Sequence, residues 1–147
     1  HYPLRRQRQM CIRDRWKDEL PKTFLGVLND GFPNLLMVLG PHTSRGNIPR
    51  HIEKIVDFNI ALIRYMRERG HSRVEARPEE AAKWLAQVIE VNEGRLAGKI
   101  PSWQTGVNAN VPGRQSIRVL GYYGGAVRYR EIAEQVAAGG YKELIFR

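Results

Sequence analysis

Gly31-Phe32-Pro33-Asn34-Leu35-Leu36-Met37-Val38-Leu39-Gly40-Pro41 is the stretch on which the fold turns. Asn34 to Leu39 is a continuous apolar run closed by Gly-Pro. Such a run predicts a strand buried on both faces, as in a parallel sheet. His42 to Asn47 is small and polar, hence a loop, and Pro49 sits where a first helical turn tolerates proline. A buried strand that runs through Gly-Pro towards a helix N-terminus presents free backbone N–H groups at a carboxyl strand end. Open α/β sheets bind ligands there, and the helix dipole favours negative charge. The stretch therefore marks a candidate anion or cofactor site, with no chemistry specified.

Outward from this stretch, strands alternate with helices. Upstream, Thr23 to Leu28 reads as one short strand followed by a turn at Asn29-Asp30-Gly31, where Asp-Gly favours positive φ. Downstream, Ile52, Ile55, Val56, Leu62, Ile63 and Met66 share one helical face, and Gly70 supplies the stop after Arg67 and Arg69. Ser72 to Ala76 reads as a brief strand. Pro78-Glu79-Glu80 opens a second helix whose buried stripe is Ala81, Trp84, Leu85, Val88 and Leu96. Residues 98–116, rich in Gly, Asn, Pro and Ser, read as one long mobile loop. Such loops are uncommon inside compact domains and are usually functional. Ile117 to Leu120 is a strand, Val127 to Ala138 a helix ended by Gly139-Gly140, and Leu144 to Phe146 a last strand. The fold class is α/β, with about three helices and an incomplete sheet.

The 147 residues are 42% hydrophobic and 9% aromatic, which excludes wholesale disorder. No apolar run approaches the ~20 residues that a bilayer span requires. No secretory address is visible, and a single cysteine, Cys11, excludes a disulfide framework and any CxxC site. The expectation is one cytoplasmic, soluble domain without a membrane partner. The formal charge is +9, and His1 to Arg15 holds five arginines against Asp14. A basic arm of this kind binds nucleic acid by neutralising phosphates. However, Arg8 to Arg15 resembles translated sequencing-adapter read-through, so residues 1–15 are expected to be a non-native basic tail and 16–147 the natural portion. No nucleic-acid partner is then expected.

The motifs from Trp16 onward resemble the carboxy-terminal part of Baeyer–Villiger monooxygenases, a class of flavin-containing monooxygenases. They are Trp16…Lys22-Thr23-Phe24-Leu25-Gly26, the stretch from Gly31 to Pro41, Ile52-Glu53, and Ser102-Trp103-Gln104-Thr105-Gly106. Asn110-Val111-Pro112-Gly113-Arg114, Gly124-Gly125…Tyr129-Arg130 and Gly140-Tyr141 follow in the family's order. The resemblance implies the final portion of the FAD domain in a protein with two Rossmann-like dinucleotide-binding domains. It implies FAD and NADPH as cofactors, and a ketone and O2 as substrates that give an ester or lactone. On this reading Gly40 and Pro41 lie against the isoalloxazine ring, Asn47 and Ile48 line the flavin, and helix amides favour negative charge on its pyrimidine side. Trp103 would contact the nicotinamide cofactor as its loop closes, or else anchor that loop to the core. Arg114 stands where many members have lysine and would contact NADP, or else be a solvated charge.

Two departures bound this reading. No GxGxxG occurs in the chain, so the phosphate-cradling turn of either dinucleotide domain must be supplied by upstream segments. The family's FxGxxxHxxxW-type fingerprint and its flavin-stabilising arginine are also missing. The expectation is therefore roughly the last quarter of an enzyme, inactive alone and with no catalytic residue of its own. His42, His51 and His71 fit no metal-ligand spacing, and they read as helix-capping, surface or core residues. Ser44, Ser102 and Ser116 have no partner arrangement of a hydrolase. The alternatives are an N- or S-oxidising flavin monooxygenase fragment and a small basic nucleic-acid-binding module.

Overall fold

The computed structural model of the chain describes residues 20–147. The expectations for residues 1–15 and for Trp16 lie outside the described residues. Three α-helices, α1 (Ile48–Glu68), α2 (Pro78–Asn92) and α3 (Ala126–Ala138), enclose four short strands. The strands are β1 (Thr23–Phe24), β2 (Leu28–Asn29), β3 (Val74–Ala76) and β4 (Leu144–Phe146). Among the described residues the class is α/β with three helices, in line with the α/β class and about three helices that the sequence implies.

The single strand expected over Thr23 to Leu28 is instead a hairpin. β1 and β2 pair antiparallel, Thr23 opposite Asn29 and Phe24 opposite Leu28. Leu25 and Gly26 turn the chain with φ of 53° and 66°, and the Val27 N–H closes the turn on the Phe24 carbonyl at 3.0 Å. Two successive positive φ values are the signature of a primed hairpin turn, whose twist matches that of the strands. The turn at Asp30-Gly31 is present, with Gly31 at φ 71°.

Residues 34–39 form no strand, which corrects the reading of the opening stretch. Asn34 and Leu39 take φ of 60° and 59°, incompatible with extended backbone, and Val38 is 46% exposed. Asn34 replaces ladder pairing with side-chain bonds: its Oδ1 accepts from Val74 N–H at 2.9 Å and its Nδ2 donates to the Ser72 carbonyl at 3.0 Å. Met37 N–H donates to the Val27 carbonyl. The segment thus crosses the hairpin and β3 as a hydrogen-bonded cover. Ile117–Leu120 is likewise irregular, with Ile117 exposed; the local pairing is one parallel bridge, Ser44 to Tyr122.

β3 and β4 form a second antiparallel pair, Val74 opposite Phe146 and Ala76 opposite Leu144. Helix α1 starts on an Asn47 N-cap whose side chain accepts from Arg50 N–H, and Gly70 at φ 70° follows its end. Its inner face is His51, Ile55, Asn59, Leu62 and Met66, so the stripe is rotated from the expected one and Val56, Ile60 and Ile63 stay partly exposed. In α2, Ala81, Trp84 and Val88 are buried and Leu85 is half-buried, as expected. Leu96 is not part of that stripe, because the helix ends at Asn92 and Leu96 lies 72% exposed in a 3-10 turn. The core centres on Trp84, whose ring stacks on Tyr122 at 5.2 Å and meets Tyr129 edge-on at 6.0 Å.

Candidate functional site

Gly40 and Pro41 lie directly over the hairpin turn. A Cβ on Gly26 would stand 2.6 Å from the Pro41 carbonyl oxygen and 2.5 Å from Thr43 Cγ2, and one on Gly40 would collide with the Gly26 carbonyl. Both positions need glycine because two backbones touch there. Thr23 Oγ1 donates to the Pro41 carbonyl at 3.0 Å, and Thr43 Oγ1 to the Gly40 carbonyl at 3.0 Å.

The loop that follows is held from inside. His42 is fully buried at φ 70°, with Nε2 3.1 Å from the Val119 carbonyl and Nδ1 3.2 Å from Thr23 Oγ1. A carbonyl only accepts, so Nε2 carries the proton of the neutral ring. Burial lowers the imidazole pKa to about 4, helped by Arg45 and opposed by the bond to Val119. His42 is thus a core histidine that joins the hairpin to residues 119–122.

Arg45 is a residue that spacing alone did not single out. Its Nη2 donates to the Leu120 carbonyl at 3.1 Å, and its side chain occupies the space that a Cβ on Gly121 would need. Its Nε is buried with no hydrogen-bond partner among the described residues. His51, in the first turns of α1, is 8% exposed, and its Nε2 also lacks such a partner. Its ring lies 4.9 Å from that of Tyr129, and burial followed by Arg45 lowers its pKa.

Asn47 and Ile48 stand at the α1 N-terminus, Asn47 as its cap and Ile48 38% exposed. No acid occupies the first turn. A cleft of about 490 Å³ opens beside this terminus, between α1 and α3, and Asn47, Arg45, Arg50 and His51 line it. Gly40, Pro41, Ile48, Trp103 and Arg114 do not line that cleft.

Trp103 opens a 3-10 turn, Trp103–Thr105, set by a reciprocal cap between Ser102 and Thr105. Thr105 is buried and donates to the Ile100 carbonyl, while the Trp103 ring is 76% exposed. The loop anchor is therefore Thr105, and the reading of Trp103 as core packing does not hold within the described residues. Arg114 is exposed, in a subloop closed by Asn108 N–H on its carbonyl at 2.7 Å. Among the described residues no three His, Cys, Asp or Glu side chains gather as a metal site. No helix there is long and apolar enough to cross a membrane.

A glycine-bounded loop leading into an acid-free helix N-terminus on an α/β frame suits an anionic ligand. The chain is 37% identical over 134 residues to the phenazine N-monooxygenase PhzNO1 of Lysobacter antibioticus, covering 91% of this chain and 24% of that protein. It is 35% identical over 142 residues to a Baeyer–Villiger monooxygenase of Pseudooceanicola batsensis, covering 97% and 25%. It superposes on NADP+-bound cyclohexanone monooxygenase from Rhodococcus sp. Phi1 with TM-score 0.85 and 32% identity, over 92% of this chain and 25% of that one. The solved OTEMO complex with FAD and NADP matches at TM-score 0.79 and 25% identity, over 92% and 24%. No protein-family model matches the chain. The chain is a homologue of the Baeyer–Villiger flavin monooxygenases and spans about a quarter of the length of the relatives it matches.

Proposed function

We propose that this chain is the part of an FAD- and NADPH-dependent monooxygenase that completes the flavin site. The whole enzyme would insert one oxygen atom of O2 into a ketone to give an ester or lactone, in the cytoplasm. The observation that carries this reading is the superposition on NADP+-bound cyclohexanone monooxygenase over 92% of the chain.

The residues present fit the flavin. The α1 N-terminus, with the Ile48 amide, a partly exposed Ile48 side chain and no first-turn acid, suits an apolar ring with an electron-rich edge. Asn47 and Ile48 would hold that edge, while Gly40 and Pro41 would lie along the ring. When bound, the flavin supplies the oxygen chemistry. Within this chain, Asn47 fixes where α1 begins and the Gly26–Gly40 approach fixes the loop before it. The Trp103 ring, exposed on its turn, would cover NADP and exclude water, and Arg114 would neutralise a phosphate. The pyrophosphate cradles would come from segments outside these residues.

A chimera tests the reading: residues 20–147 replace the matching quarter of the Pseudooceanicola enzyme. The expected product is a yellow protein that oxidises NADPH in a ketone-dependent manner and releases ester or lactone. A flavin-loaded chimera that oxygenates only a ring nitrogen would move the assignment to N-oxidation. Stoichiometric FAD on the isolated 147-residue chain would overturn the proposal.

A further inference from the structure

Helix α1 carries two apolar sides. Its inner side, Ile55, Leu62 and Met66 with His51 and Asn59, is buried in the core. Val56, Ile60 and Ile63 follow one another at i, i+4 and i+7, which stacks them along a second side of the same helix. They remain between 37% and 44% exposed. A helix at the surface of a globular protein has one apolar stripe and a polar opposite side, whereas a helix apolar on more than one side packs between two layers. Only one of those layers is present around α1 among the described residues.

The segment 34–39 shows the same mismatch. Its unbroken apolar composition is that of a backbone covered on both sides. Yet Val38 is exposed, and the N–H groups of Leu36, Val38 and Leu39 find no acceptor among the described residues. Asn59 Nδ2 donates to the Met37 carbonyl at 3.5 Å, and Asn59 lies one turn from both Val56 and Ile63. The segment therefore borders the second side of α1, and two elements leave apolar surface free at one place. Scattered exposed apolar residues are ordinary, but a contiguous group marks an interface.

We propose that Val38, Val56, Ile60 and Ile63 form the seam against which the upstream part of the same polypeptide packs an apolar face. The proposal rests on the reading of the chain as part of a longer enzyme. The chain spans about a quarter of the relatives it matches, so the remainder has to bury some of its surface. None of Gly40, Pro41, Asn47, Ile48, Trp103 and Arg114 belongs to the seam, so it is tested apart from the cofactor assignments.

The test exploits a reversal between the full chain and the chimera described above. In the full chain Ile60→Lys changes an exposed residue, and the melting temperature should stay within about 2 °C. In the chimera the same lysine lies in the closed seam, where an unpaired charge is strongly destabilising, and the melting temperature should fall by about 5–10 °C. Glu68→Lys, exposed at the last turn of α1 and away from the stripe, should shift neither protein. Melting temperatures need no bound FAD. A colourless chimera that shows the reversal thus rejects the flavin assignment and keeps the seam, and a yellow chimera that tolerates the lysine does the opposite. Val56→Lys, read in the same way, decides the matter if the Ile60→Lys chain fails to fold. A dimer that persists in the chimera and is abolished by Ile60→Lys gives this side to a second copy and overturns the proposal. So does failure to fold on both the Pseudooceanicola host and the Rhodococcus cyclohexanone monooxygenase.

Discussion

The hydroxyl of Tyr129 donates to the backbone carbonyl of Leu25 across 2.5 Å, joining α3 to the hairpin turn. The two residues are 104 positions apart, and both are buried. Leu25 holds a positive φ that a leucine adopts only at a cost of about 1–2 kcal/mol. Burial raises the Tyr129 pKa, which keeps the phenol protonated and donating. The bond over-determines a strained turn.

Tyr129→Phe should therefore leave a buried carbonyl without its donor. The expected loss is about 1–3 kcal/mol, seen as a melting temperature lower by roughly 3–10 °C. An unchanged melting temperature would show that the turn holds without α3.

Stability should fall on acidification through His42. Its folded pKa of about 4 lies below the unfolded value of 6.5. Between those values the unfolded chain binds the extra proton, so stability is complete above pH 6.5 and declines as pH falls towards 4. His51 is shifted in the same direction. The His42 contribution is on the order of 3 kcal/mol. Denaturant titrations at several pH values, for the natural chain and for His42→Asn, isolate it from the carboxylates; asparagine tolerates the positive φ. The difference between the two chains should close as pH falls from 6.5 to 4.

Gly26→Ala should be far more damaging than Gly113→Ala. Both glycines hold positive φ, 66° and 76°, but a Cβ at 26 meets Pro41 and Thr43 whereas one at 113 meets open space. Gly113→Ala should cost only the backbone strain, about 1 kcal/mol. Gly26→Ala should cost several kcal/mol, because the loop of Gly40 and Pro41 must move. Comparable denaturation midpoints for the two variants would contradict the close approach.

Trp103→Ala should leave stability within about 0.5 kcal/mol of the natural chain, since the ring is 76% exposed. In the chimera it should weaken NADP binding and increase peroxide release while FAD content stays constant. Hydrogen exchange in residues 98–116 should be fast without NADP and slow with it, except at the hydrogen-bonded Thr105 turn. A large drop in melting temperature with unaltered NADP affinity would remove Trp103 from the site.

What could be read directly is local. Pro49 and Gly70 bracket α1, Pro78 opens α2, Gly139 follows α3, and β4 spans Leu144–Phe146 as its apolar run indicates. Each signal acts on its own backbone through a fixed φ, a missing N–H or a missing Cβ. The ordered motifs around Gly40, Trp103 and Gly124 carried the family resemblance for the same reason, because they are contiguous. What tertiary structure decided is pairing at a distance. Asn34 to Leu39 has strand-like side chains, yet Val27 and Val74 take its hydrogen bonds singly and leave it irregular. The face of α1 was set by Tyr129, 78 residues beyond His51, which drew an imidazole inward and left Val56 and Ile60 outward. Arg45 reads as one loop cation among many until Gly121 folds against it and the Leu120 carbonyl takes its Nη2. Burial depends on which surfaces the closed chain removes from water, and that sum belongs to the fold rather than to any segment.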